Sequence, residues 1–238
     1  MKDAISNGKS LAVSVSAARL SLAAAIATLL LLVSLHILSP EFDPAWRMVS
    51  EYANGHYGWV LSLMFACWAL SSWALAFAIR SPLRTRAGRT GLVLLVAAGV
   101  GEAMASVFDI NHQPLHDVAG YIGILSLPIA AILISVCLGR TEPWSAAKKA
   151  LLWTANVTWV SVVLMVVSLI ALGVTFTRAG GHIPADGKAP PPGAKLPAGT
   201  IALAGYANRL LIVAYCAWGI IVAWHAIKLR GKRTAPVE

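Results

Sequence analysis

The sequence contains very little charge for its length. Only 12% of its 238 residues are Asp, Glu, Lys or Arg, whereas 58% are hydrophobic, and the mean hydropathy is +0.72. Soluble domains carry about 25% charged residues, so this composition excludes a water-soluble globular protein. It predicts an integral membrane protein with almost no chain left over for a separate soluble domain.

Cysteine is scarce, and the motifs of nucleotide chemistry are missing. Cys67, Cys137 and Cys216 are far apart and lie in apolar stretches, so we expect buried free thiols rather than a disulfide or a cysteine metal cluster. The sequence has no glycine-rich phosphate loop and no nucleophile elbow. These absences leave nucleotide-driven chemistry unsupported.

Long apolar runs are what the sequence has in abundance. A helix needs about 20 apolar residues to cross a bilayer core. The sequence has six such runs, at about 17–39, 58–80, 90–108, 115–138, 150–175 and 200–227. They predict one all-α domain over residues 1–238, a bundle of six transmembrane helices. The connection 178–199 is rich in Gly and Pro and is predicted to be a flexible extracytoplasmic loop.

The positive charges predict the orientation of this bundle. Lys and Arg are concentrated near the N-terminus, in the connections 80–89 and 140–149, and near the C-terminus. Short basic connections stay in the cytoplasm, so both termini are predicted to be cytoplasmic. The net charge of +9 then reflects topology and attraction to anionic lipid. Membrane lipids are the expected partners, nucleic acid is not, and protein partners are unknown.

Two charged residues interrupt runs that otherwise look like membrane spans. Glu102 is the one charge between Gly91 and Phe108, and Arg209 lies within the last run. A charge at membrane depth is costly unless it meets a partner or a wet cavity. An ion pair or shared polar network between the two is therefore expected. That network could serve only helix packing or could form a cavity for a headgroup or substrate; alternatively, Arg209 could snorkel to the interface.

Helical spacing places more polar residues near Glu102. Glu102, Ser106 and Asp109 share one helix face, and small residues on an adjoining face would let a neighbouring helix approach. His116 lies in the first turn of the fourth run, where the helix dipole disfavours a positive imidazole. A neutral histidine there could exchange protons, form hydrogen bonds or bind a metal.

Several short segments resemble a known membrane family. They are His36-Ile-Leu-Ser-Pro, Ser50-Glu51-Tyr52-Ala53 with Gly58-Trp59, Phe108-Asp109 followed by His116-x-x-x-Gly120, and Gly205 with Asn208-Arg209. From about residue 20 to 228 the chain resembles the bacterial and archaeal family called "domain of unknown function 998". That resemblance implies six or more spans in the bacterial inner (plasma) membrane, with no agreed activity. The family is also distantly similar to eukaryotic membrane proteins of the Frag1/DRAM/Sfk1 type, which implies a connection with lipids.

The resemblance also affects the expected partner of Arg209. In the family an acidic residue often precedes this Arg, whereas this chain has Asn208, which leaves Glu102 as the expected partner. The resemblance adds Glu51 to the candidate residues. The predicted polar cavity then has six residues, all expected near the extracytoplasmic side: Glu51, Glu102, Ser106, Asp109, His116 and Arg209.

Three classes of function remain open at this point. The first is a membrane protein that binds a lipid or small amphiphile in this cavity, as a transport or regulatory component. The second is an intramembrane hydrolase with zinc on Asp109, His112 and His116, although Pro114 interrupts that series. The third is a b-type haem protein with His36 and His116 as axial ligands. Catalytic residues and any cofactor are unknown from the sequence.

Overall fold

Six long helices make up most of the protein. The computed structural model describes residues 13–182 and 190–231. The helices are α1 (Val15–Leu38), α2 (Gly58–Ile79), α3 (Arg86–Val107), α4 (Leu115–Leu138), α5 (Lys148–Arg178) and α6 (Ala204–Gly231). Two short 3-10 helices, Val49–Asn54 and Glu142–Ala147, precede α2 and α5. The described part of the chain contains no strand.

All six helices are long and apolar enough to cross a membrane, which confirms the predicted all-helical, multi-pass architecture. The ends differ by a few residues where side chains intervene. α3 begins earlier than predicted because the Thr85 hydroxyl accepts a hydrogen bond from the Gly88 amide, 3.1 Å away, and so caps the helix. α6 begins later because the Ile201 amide donates to the Thr175 hydroxyl of α5, 3.0 Å away. The membrane concerned and the orientation within it stay predictions.

The helices form a closed ring in chain order. Each helix packs against its neighbour in sequence, and α1 packs against α6. α6 also contacts α2 and α4 across the ring. Within an apolar stretch of 18 residues in each helix, 56% of the residues are buried in α2 and in α6, compared with 22% in α5. The interior of the bundle is therefore built mainly around α2 and α6, and α5 has the most surface for lipid.

Small residues allow the closest helix approach, between α3 and α4. A Cβ atom on Gly101 would lie 2.5 Å from the Gly123 amide nitrogen and 2.6 Å from the Ala119 carbonyl oxygen. The backbones can meet here only because Gly101 has no side chain, as the small-residue stripe predicted. This contact orients the Glu102 side of α3 toward the bundle interior.

The two ends of the bundle differ in charge. We call the end with the α1–α2, α3–α4 and α5–α6 connections the acidic end, since it carries Glu41, Asp43, Glu51 and Asp109. The opposite end, here the basic end, carries Arg80, Arg84, Arg86, Arg89, Arg140, Lys148 and Lys149. If the positive charges are cytoplasmic, as predicted, the acidic end faces outward.

The long α5–α6 connection is in contact with the rest of the acidic end. The Gly193 amide donates to the Glu41 carbonyl oxygen at 3.0 Å, and the Gly205 amide donates to the Ala45 carbonyl oxygen at the same distance. These contacts hold residues 193–205 against the α1–α2 connection. Asp186 and Lys188 lie outside the described residues, and the predicted flexibility of this loop stays a prediction.

Candidate functional site

Arg209 is buried near the start of α6, with 8% of its surface exposed. Its Nε donates to His36 Nε2 at 2.6 Å, and Nη2 donates to the Tyr52 hydroxyl at 3.0 Å. Its Nη1 donates to the carbonyl oxygens of Arg47 and Gly205, at 2.7 and 2.9 Å. Four uncharged acceptors therefore satisfy the guanidinium group and connect α6 to α1 and to the connection that follows α1.

His36 is held in one protonation state by its two partners. Its Nδ1 lies 2.6 Å from the Leu32 carbonyl oxygen, which can only accept a hydrogen bond. Its Nε2 faces the Arg209 guanidinium group, which can only donate. The ring is therefore neutral, with its proton on Nδ1. Since both nitrogens are occupied, His36 is not free to be an axial haem ligand, and the predicted pair of His36 with His116 is not supported.

Arg47 is the second buried cation of the acidic end, with 1% of its surface exposed. Its Nη1 lies 2.6 Å from Glu51 Oε2, and Nη2 donates to the carbonyl oxygens of Pro190 and Pro191, both at 2.7 Å. Sequence reasoning missed this role, although Arg47 is the one Lys or Arg in an otherwise acidic connection. The ion pair joins Arg47 to the 3-10 helix Val49–Asn54, and the two carbonyl contacts anchor the α5–α6 connection.

Glu51 is buried between this ion pair and the backbone. Its Oε1 accepts a hydrogen bond from the Met48 amide at 2.8 Å. Burial raises the pKa of Glu51 above its ordinary value of 4.5, and this effect exceeds the opposing effects of the Met48 amide and the Arg47 guanidinium group. The carboxyl group therefore holds a proton to higher pH than an exposed glutamate does.

Glu102 is separate from both arginines. Its Oε2 accepts a hydrogen bond from the Ser72 hydroxyl of α2 at 2.8 Å, and Oε1 has no hydrogen-bond partner among the described residues. Only 4% of the residue is exposed. The expected ion pair between Glu102 and Arg209 is wrong, because Arg209 is directed toward α1 and Glu102 toward α2.

A cavity of about 330 Å³ lies beside Glu102, between α2, α3, α4 and α6. Most of its wall is apolar or aromatic: Phe65, Trp68, Ile124, Leu211, Ile212 and Tyr215. Its polar lining consists of Ser50, Glu102, Gln113, His116, Asp117 and Asn208. Because Gln113, Asp117 and Tyr121 are exposed, the cavity opens near the start of α4, at the acidic end.

Two of the six predicted cavity residues line this cavity, Glu102 and His116. Glu51 and Arg209 belong to the neighbouring cluster around His36 and Arg47. The two sites adjoin where the Val49 amide donates to Asn208 Oδ1 at 2.9 Å, since both residues also line the cavity. The six residues therefore do not converge on one site: a cavity of ligand size lies next to a separate buried cluster of charged residues.

The other two predicted residues are engaged locally. The Ser106 hydroxyl donates to the Ala103 carbonyl oxygen of its own helix at 2.8 Å. Asp109 Oδ1 lies 2.8 Å from His112 Nδ1 and accepts from the Asn111 amide at 2.9 Å. Burial raises the pKa of Asp109, but the hydrogen bonds from His112 and Asn111 outweigh it and hold the pKa below its ordinary value.

The predicted zinc ligands do not assemble. His116 Nδ1 lies 2.9 Å from the Phe108 carbonyl oxygen, and Asp109 pairs with His112 instead. Within residues 13–182 and 190–231, no group of three His, Cys, Asp or Glu side chains could hold a metal ion. The set of Asp109, His112 and His116 therefore gives no basis for metal-dependent hydrolysis.

Sequence reasoning missed the aromatic wall of the cavity. The rings of Trp68 and Tyr215 lie 6.0 Å apart, edge to face, and those of Phe65 and Trp68 are stacked at 6.2 Å. The Tyr215 hydroxyl donates to the Ile124 carbonyl oxygen at 2.7 Å. The sequence does contain one indication of this wall: Asn208 and Tyr215 are seven residues apart, a spacing that places both on one face of α6.

Comparison with known proteins agrees with the sequence resemblance. A family model described as "Protein of unknown function (DUF998)" matches residues 22–225. No curated protein and no solved structure matches the chain. The distant similarity to the Frag1/DRAM/Sfk1 type stays a prediction. Because the family match covers most of the 238 residues, the protein belongs to the DUF998 family.

Proposed function

We propose that the protein binds a lipid or small amphiphile in the cavity beside Glu102, as the binding component of a transport or regulatory process. One observation carries this proposal: the cavity combines an apolar wall with a buried carboxyl oxygen that has no partner among the described residues. Ligand sites in proteins typically combine apolar walls with a few well-placed polar groups.

The unpartnered oxygen favours a ligand over a purely structural role. A buried acceptor without a hydrogen bond costs about 1–3 kcal/mol, so a packing network would be expected to satisfy Glu102 completely. Arg209 shows such satisfaction, with four acceptors around it. A bound molecule with a donor group would offset the free-energy cost of the unpaired Glu102 oxygen. The apolar part of the molecule would pack against the aromatic wall and displace lipid or water from it.

Gly120 offers a direct test because it lines the cavity and a Cβ atom there would meet nothing within 4 Å. Gly120→Leu should occupy part of the cavity, since its Cβ has open space around it, and should leave folding intact, since Leu favours a helix more than Gly does. Gly173→Leu on α5 is the matched control, because Gly173 has the same open surroundings and does not line the cavity.

The measurement is photocrosslinking of the purified protein in maltoside micelles with a dodecyl probe that carries a diazirine group, mapped by peptide mass spectrometry. We expect labelling of the cavity residues of α3, α4 and α6 in the wild type and in Gly173→Leu. In Gly120→Leu this labelling should fall at least about fivefold, relative to labelling of the lipid-facing surface of α5. Equal cavity labelling in all three proteins would refute the proposal.

A further inference from the structure

The chemistry of the cavity also indicates which amphiphile it takes. Resting on the proposed function, we infer that the ligand carries a cationic amine, which donates a hydrogen bond to Glu102 Oε1 and lies against the aromatic rings of Phe65, Trp68 and Tyr215. The inference depends on the charge of the lining, the free oxygen of Glu102 and the arrangement of the rings.

The charged residues that line the cavity are acidic. They are Glu102 and Asp117, and none of the described lining residues is Lys or Arg. An anionic headgroup would place a negative charge beside two carboxyl groups with no cation to compensate it, whereas an ammonium group would supply the positive partner that a buried carboxylate requires.

The arginines of the neighbouring cluster do not alter this balance within the cavity. Arg209 follows the lining residue Asn208, but its guanidinium group is directed to His36, Tyr52 and two carbonyl oxygens. Arg47 is paired with Glu51. Neither arginine lines the cavity. Its other titratable residues are Tyr121, His116, whose Nδ1 is engaged with the Phe108 carbonyl oxygen, and Tyr215, which donates to the Ile124 carbonyl oxygen.

Glu102 is placed to bind a donor and not merely to repel anions. Ser72 fixes Oε2 and thereby the orientation of the carboxyl group, and Oε1 of this cavity-lining residue has no hydrogen-bond partner among the described residues. A hydrogen bond between an ammonium group and a carboxylate is about twice as strong as one between neutral groups. A neutral alcohol could also donate to this oxygen, so the inference predicts a preference for the amine over the alcohol of equal length.

The aromatic rings favour the same class of ligand. Trp68 and Tyr215 meet edge to face, with centroids 6.0 Å apart, and the stacked pair of Phe65 and Trp68 adds a third ring. Aromatic faces attract cations through the negative potential of the ring, and Trp does so most strongly. Aromatic rings next to a carboxyl group are an arrangement that suits organic ammonium ions.

The test compares three probes that share a chain and differ in charge: dodecylamine, dodecanol and dodecanoate. Each competes with the diazirine probe for the full-length protein in maltoside micelles at pH 7. We expect dodecylamine to compete at a concentration about tenfold or more below that of dodecanol, and dodecanoate to compete least. Glu102→Gln should reduce the preference for the amine to less than about threefold. Asp109→Asn is the matched control, because Asp109 is a carboxylate at the same end that does not line the cavity.

The possible outcomes separate this inference from the proposed function. Equal competition by amine and alcohol, both abolished by Gly120→Leu, would overturn the amine inference and leave amphiphile binding standing. Competition by no probe, with no effect of Gly120→Leu on labelling, would overturn both. If Glu102→Gln fails to fold, as judged by gel filtration and thermal melting, the preference of the wild type and its loss in Trp68→Leu decide the question.

A final comparison identifies the source of the amine. Dodecylamine binding is measured in nanodiscs of phosphatidylglycerol with and without phosphatidylethanolamine, whose headgroup carries a primary amine. Competition by phosphatidylethanolamine would assign the site to a lipid headgroup. Unchanged dodecylamine binding would assign it to a free hydrophobic amine. Stronger binding of phosphatidylglycerol than of either amine would overturn the inference.

Discussion

At the scale of single residues, the acidic end contains two buried arginines whose side chains have different kinds of partner. Arg209 is surrounded by neutral acceptors, whereas Arg47 has a carboxylate partner in Glu51. Glu102 has neither arginine as a partner. The loss of stability on substituting one of these residues should therefore depend on the contacts of that residue, and not on how many charged groups are buried at this end.

The first prediction concerns the partners of Arg209. Arg209→Gln and Tyr52→Phe remove two ends of one hydrogen bond, so their losses of stability should be non-additive by about 0.5–3 kcal/mol. Arg209→Gln with Glu102→Gln is the control, and its losses should add to within about 0.5 kcal/mol because the residues share no partner. The measurement is equilibrium unfolding in mixed micelles. Coupling of Glu102 to Arg209 as large as that of Tyr52 would contradict the structure.

The second prediction concerns Glu51 and pH. Its pKa is raised in the folded protein by burial, so the folded state binds more protons than the unfolded state above pH 4.5, and its contribution to stability falls as pH rises through the raised pKa. Glu51→Gln removes this titration. The stability of the wild type relative to Glu51→Gln should therefore decrease between pH 4 and the raised pKa. A parallel pH dependence of the two melting temperatures would show that Glu51 does not titrate in this way.

At the scale of elements, the start of α6 depends on close contact with the α1–α2 connection. A Cβ atom on Gly205 would clash with the Pro44 carbonyl oxygen and would lie 2.7 Å from that of Arg47. The same Arg47 carbonyl accepts from Arg209. Arg209, one turn later, can therefore form its hydrogen bonds to the α1–α2 connection only because Gly205 has no side chain.

The third prediction follows from this contact. Gly205→Ala must move backbone atoms apart and should destabilise the protein by about 1–3 kcal/mol, as overpacking generally does. Gly219→Ala is the control on the same helix, because the nearest atom to a Cβ there is a Leu75 side-chain carbon at 3.8 Å. It should be neutral or stabilising by up to about 1 kcal/mol. Thermal melting of both variants tests the prediction, and equal losses would contradict it.

The helices could be predicted from the sequence and most of their side-chain partners could not. A span is a local property, because length and hydropathy decide it, and all six were found. Two partners of Arg209 are the Tyr52 hydroxyl, in the 3-10 helix Val49–Asn54, and the Arg47 carbonyl oxygen, in the segment just before that helix. The conformation of such a connection has no periodic signal. Glu102 lines a cavity, but the aromatic wall of that cavity depends on how α2 and α6 are rotated about their axes, which the sequence does not indicate.

At the scale of the whole molecule, the fourth prediction concerns orientation. The connections 80–85 and 139–147 at the basic end should face the cytoplasm, and the acidic end should face outward. Single cysteines replace Arg86 and His56, which are exposed at opposite ends, in a variant that lacks Cys67, Cys137 and Cys216. An impermeant maleimide applied to intact cells should label the cysteine at position 56 and not the one at position 86. The reverse pattern would invert the topology and place the cavity on the cytoplasmic side.

The hydrogen bonds of Arg209 also constrain how the protein is made. His36 and Tyr52 precede Arg209 by 173 and 157 residues, so at about 5–20 residues per second they leave the ribosome about 8–35 s earlier. An Arg inside a membrane span is costly to insert into the bilayer when it has no partner. α6 avoids this cost when it enters beside α1, because the acceptors for its guanidinium group are already in place. α6 is therefore expected to enter the bilayer at lower cost when α1 and the α1–α2 connection are already in place.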